Sequence, residues 1–78
     1  MAWDTELAAT KAGEAMRYLA ANYPECAGTP ELHTHQDAAY QAAVNGGRDP
    51  YLQALRCYMR AGRGVAMRAR LEAREGAA

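Results

Sequence analysis

DPYLQALRCYMRAGRGVAMRARLEARE, residues 49–75, carries the strongest helix start in the chain, its densest apolar stripe and most of its positive charge. Asp49 is a favoured N-cap, and Pro50 suits the first helical position, where a missing N–H costs nothing. At about 100° per residue, Tyr51, Leu52, Leu55, Tyr58 and Met59 fall within one arc, the mark of a core-facing stripe. Gln53, Arg56, Arg60 and Arg63 fall opposite, and no acidic residue occurs between Asp49 and Glu72.

Gly62 and Gly64 govern how this helix ends. An unbroken helix leaves Met67 and Leu71 on the arginine face; a break rotates the last segment and buries them. Two glycines cost about 2 kcal/mol in a helix interior, so a kink or break near Gly62–Gly64 is expected, with residues 75–78 frayed.

Working outward, Thr5 to Tyr23 reads as a first helix capped by Asp4, with Pro24 forcing an exit. Ala8, Ala12, Ala15, Met16, Leu19 and Tyr23 form its core stripe. Trp3, Leu7 and Tyr18 lie on another side, covered by a returning segment or left as a recognition patch. Gly13 is expected at a close helix crossing. Residues 24–34 connect, with a helical turn at Thr29-Pro30. A second helix is expected from His35 to Asn45, with Thr34 and Asp37 as its capping pair. Ala39, Tyr40, Ala43 and Val44 form its buried edge, and Gly46-Gly47 its end.

Composition agrees with helices throughout. The 78 residues, a single domain, include nineteen alanines, no Ile and no Phe. A core of this size supplies only about 3–5 kcal/mol net, which a homodimer or another partner would supplement. The fold class expected is all-α, a small bundle of three principal helices. Residues 1–47 carry Lys11 and Arg17 against Asp4, Glu6, Glu14, Glu25, Glu31 and Asp37, a net −4. Residues 48–78 carry seven arginines against Asp49, Glu72 and Glu75, a net +4. The halves either complement each other within the fold or serve an acidic or nucleic-acid partner.

Catalytic chemistry finds little support. The chain has no serine, no phosphate-cradling glycine loop and no metal motif of recognised spacing. Cys26, His33, His35 and Asp37 are weak candidate metal ligands, and a cysteine–histidine pair is the one nucleophile arrangement available. The expectation is no metal, no cofactor and no enzyme. There is no signal peptide or membrane-spanning run, so a cytoplasmic protein with reduced Cys26 and Cys57 is expected.

Ala42, Gly46, Leu52 and Leu55 resemble the helix-turn-helix pattern over residues 38–60, although Asn45 and Gly47 depart from it. That resemblance would place Arg48, Gln53, Arg56 and Arg60 against nucleic acid. The leading expectation is different: a non-enzymatic regulator that occludes or scaffolds a protein partner. Its contacts would be Arg56, Arg60, Arg63, Met67, Arg70 and Leu71, since arginine beside a small apolar spot fits the composition of interface hot spots. Small proteins without catalytic residues are often inhibitors of larger machines, phage-encoded ones included.

Overall fold

The computed structural model describes residues 5–77. Among them are three α-helices and no strand: α1 (Thr5–Asn22), α2 (Pro30–Gln41) and α3 (Arg48–Ala77). The expected cap Asp4, together with Trp3 and Ala78, lies outside the described residues.

Proline sets both sides of the first connection. Pro24 opens a single 3₁₀ turn, Pro24–Cys26, and Tyr23 before it has left helical geometry at φ −138° and ψ 57°. Pro30 occupies the first position of α2. Thr29 is extended before it, and its hydroxyl donates to the Cys26 carbonyl at 3.0 Å. The helical turn read at Thr29-Pro30 is therefore the true start of α2, five residues ahead of His35. Thr34, expected as a cap, lies inside the helix and bonds back to the Pro30 carbonyl.

A π-helical turn, Ala42–Gly46, closes α2, with the Gly47 N–H donating to the Ala42 carbonyl at 3.1 Å. Gly47 has φ 86°, a conformation that side chains with a Cβ rarely adopt, and it ends the helix as expected. Its own carbonyl accepts the Tyr51 N–H, so α3 begins at Arg48. Asp49 sits in the first turn instead of capping it, where a carboxylate still favours the positive helix end.

Three contacts give the topology. The Tyr51 hydroxyl donates to the Ala8 carbonyl, Gly62 abuts Leu19, and Arg70 donates to the Asn22 carbonyl. Hence α1 and α3 run side by side in the same direction. Arg68 meets Glu31 at the start of α2, so α2 runs back along α3 as a hairpin. The molecule measures 56 × 18 × 17 Å, and its long axis follows from α3, whose 30 residues extend about 45 Å.

The core gathers on α3. Tyr51, Leu55, Tyr58 and Ala66 are buried against Ala8, Ala15 and Leu19 of α1, Cys26 of the 3₁₀ turn, and Leu32 and Ala39 of α2. By contrast, α1 and α2 barely touch each other. That is why Met16, Tyr40 and Val44, read from the sequence as buried, are 48%, 66% and 60% exposed. Leu7 and Tyr18 are also largely exposed, with Tyr18 tilted against Tyr23 at 6.0 Å between ring centroids.

The third helix is continuous across Gly62 and Gly64, so the break expected there is absent. It extends through Glu75 to Ala77. Gly62 has a packing role: a Cβ there would lie 2.8 Å and 2.9 Å from the two methyl carbons of Leu19 and 3.3 Å from a Leu32 methyl. This is the close crossing that was anticipated at Gly13, where an added Cβ would first meet the Arg17 side chain one turn on.

The two buried tyrosines predict an alkaline limit. Burial pushes the hydroxyl pKa of Tyr51 up; it does the same at Tyr58, with a smaller push from Cys26. Above pH ~10, the ordinary tyrosine value, the unfolded chain releases these protons while the folded chain holds them. Stability is therefore complete below about pH 10 and declines as pH rises past it. Tyrosinate absorbance followed beside helical circular dichroism should show two of the five tyrosines ionising only as helicity is lost. Ionisation of all five at constant helicity would contradict this packing.

Candidate interaction surface

Two surfaces stand out, on opposite sides of α3. The first is its outer face. Arg56, Arg60, Arg63 and Arg74 are exposed there, and Met67 and Leu71 beside them are 52% and 53% exposed. An unbroken α3 puts them there: without the break, nothing rotates Met67 and Leu71 toward the core.

The arginines divide into two groups. Arg68 donates to Glu31 at 2.8 Å. Arg70 makes a two-pronged pair with Glu25, through Nε at 2.5 Å and an Nη at 3.0 Å. The same Nη reaches the Asn22 carbonyl at 2.7 Å, and the guanidinium lies 5.2 Å from the Tyr23 ring centroid. Arg70 thus closes the C-terminal end of α1, where the last carbonyls have no helical partners and a cation is favoured. Its hydrogen bonds hold the Glu25 carboxyl below the usual carboxylate range. This is the complementarity between the two halves that their charges allowed. It also commits Arg70, a residue expected to contact a partner, to the protein's own fold. Arg56, Arg60 and Arg63 form no ion pair among the described residues.

The second surface was not foreseen from the sequence. Because α1 and α2 pack on α3 more than on each other, touching where the Gln36 amide donates to the Met16 sulfur at 3.6 Å, a groove of 430 Å³ opens between them. Met16, Tyr40 and Val44 form its rims, and Tyr51, Leu55 and Tyr58 its floor. A neighbouring hollow of 510 Å³ shares Met16, Gln36 and Tyr58 with it and extends to the Pro24–Cys26 turn. The sequence carried no signal for it: Ala8, Ala12, Ala15, Met16, Leu19 and Tyr23 span an arc of about 100°, the usual width of a core-facing stripe.

The groove is apolar and carries no acid, histidine or cysteine, so it offers shape and surface more than chemistry. Cys26 and His33 both line the neighbouring hollow. Cys26 is buried in its turn, whereas His33 faces outward toward Asp37 at 3.8 Å on the surface of α2. Cys57 is exposed on α3, and neither cysteine is in a disulfide. Among the described residues no three histidine, cysteine or acidic side chains converge, so Cys26, His33, His35 and Asp37 are not gathered into a ligand set.

The helix-turn-helix resemblance falls on the turn between α2 and α3. In that motif two helices cross steeply and meet near their turn. Here α2 follows α3 as far as Arg68, so residues 38–60 belong to an antiparallel hairpin. Arg48 and Gln53 are exposed at its turn end. No helix among the described residues is long and apolar enough to cross a membrane. No protein-family model, curated protein or solved structure matches the chain.

Proposed function

We propose that this chain is a small non-enzymatic interaction protein that binds a protein partner through the outer face of α3. It acts as an inhibitor or adaptor by covering part of that partner's surface. One observation carries the reading: Arg56, Arg60 and Arg63 stand exposed beside Met67 and Leu71, while Arg68 and Arg70 are occupied by Glu31 and Glu25. Arginine forks supply directional hydrogen bonds, and the two apolar side chains supply area that gains by being covered. The two free thiols are in keeping with a reducing compartment such as the cytoplasm.

The test is capture of partners from the host with wild-type protein and with Arg56→Glu combined with Arg60→Glu. Both positions are exposed, so the double variant should keep its helical spectrum and melting temperature. A partner bound through this face should bind the variant at least roughly tenfold more weakly. A folded variant that captures the same partner with unchanged affinity ends the proposal.

Nucleic acid is the competing ligand for the same arginines. Phosphate-driven binding loses affinity steeply with salt, with a logarithmic slope near −0.9 per phosphate contact. No affinity for random duplex or single strands at low salt eliminates it.

A further inference from the structure

The arginines of the outer face are not scattered over it. From Arg56 the row proceeds through Arg60, Arg63, Met67, position 70 and Arg74, in alternating steps of four and three residues, with the Arg70 side chain itself drawn aside to Glu25 and Asn22. Because α3 is unbroken, this spacing holds the row in line over about 27 Å of helix. Alternating four- and three-residue steps are the spacing at which one helix meets another along its length. Leu71 stands one turn beyond Met67 and widens the row at that height.

We infer that this row receives an acidic amphipathic helix laid along α3, with Asp or Glu recurring at matching steps and an apolar residue at the height of Met67 and Leu71. The inference rests on the protein-binding reading of this face and adds the partner's chemistry and shape. Charge complementarity sets the acidic character. Among the described residues, no carboxylate pairs with Arg56, Arg60 or Arg63. A second copy of the chain is unsuited to the position. Pairing two such rows antiparallel about their centre sets Arg56 against Arg74 and Arg60 against Arg70 of the other copy, and pairing them parallel sets each arginine against itself. Like charges so placed repel. Within α3 the only carboxylate in line with the row is Asp49, at its far end. Phosphates would match the arginines but leave Met67 and Leu71 uncovered, and both are more than half exposed.

The test uses the full chain and three probes in fluorescence anisotropy at low and physiological salt. The first probe is an alanine-based peptide with Glu at alternating three- and four-residue steps and Leu at the Met67 height. The second has the same composition in scrambled order, and the third is a random-sequence DNA duplex. The patterned peptide should bind roughly tenfold or more tightly than the scrambled one, and gain helicity on binding. Arg60→Glu with Arg63→Glu should abolish that binding, and a peptide with Lys at the two facing positions should restore it. Equal binding of both peptides overturns the helical partner and leaves the protein-binding reading standing. Duplex binding without peptide binding overturns both. Failure of all three probes overturns the inference.

Discussion

Leu19→Ala is expected to leave the chain largely unfolded at room temperature. Leu19 is 2% exposed and lies where all three helices meet, its methyls against Gly62 of α3 with Leu32 of α2 alongside. Truncating a buried leucine costs about 2–5 kcal/mol, the lost transfer energy plus the cavity left behind. Little can collapse into that cavity, because the facing position is a glycine. A chain of this size, with alanine at four of its ten buried core positions, holds a margin of only about 3–5 kcal/mol, so the two quantities nearly cancel. Urea unfolding followed by circular dichroism checks it. Met16→Ala, three residues earlier on α1 but 48% exposed at the groove rim, is the control and should cost less than about 1 kcal/mol. If the two substitutions cost the same, the core is not centred on Leu19.

The contrast between Met16 and Leu19 also marks how far the sequence could be read. Periodicity placed both in one stripe, and it placed the buried face of α3 well: Tyr51, Leu55 and Tyr58 are buried as expected. Periodicity shows which side of a helix is apolar, but not how many neighbours that side will have. α1 and α2 pack on α3 far more than on each other, and the outer half of each stripe lines a groove. α2 starts at Pro30 and not at the Thr34/Asp37 capping pattern. A proline at the first helical position is the stronger signal, since it fixes φ and lacks only an N–H with no helical partner. The arginine row was legible as a face. Its division was not: Arg68 and Arg70 are held by carboxylates more than thirty residues away, and only the folded chain brings those together.

Gly62 and Gly64 should respond to the same substitution with opposite signs. In an exposed helix interior, Gly→Ala stabilises by about 0.5–1 kcal/mol, because alanine loses less freedom on folding and shields the backbone better. Gly64 is exposed, and an added Cβ meets nothing within 4 Å, so Gly64→Ala should gain that amount. At Gly62 the same methyl would come within 2.9 Å of both Leu19 methyl carbons. Leu19 cannot move aside, because Leu19 itself is buried and Leu32 closes the crossing 3.3 Å from the new atom. Over-packing of this kind costs about 1–3 kcal/mol, more than propensity returns, so Gly62→Ala should be destabilising overall. Had the glycines marked a break in α3, alanine at either position would straighten the helix and the two variants would behave alike. Urea midpoints of the two single variants against wild type decide the matter. A gain at 64 with a loss at 62 places the three-helix crossing at Gly62, and equal shifts would return the pair to the role of a hinge. The same measurement bears on the interaction surface, because only a continuous α3 holds Arg56, Arg60, Arg63 and Met67 in one line.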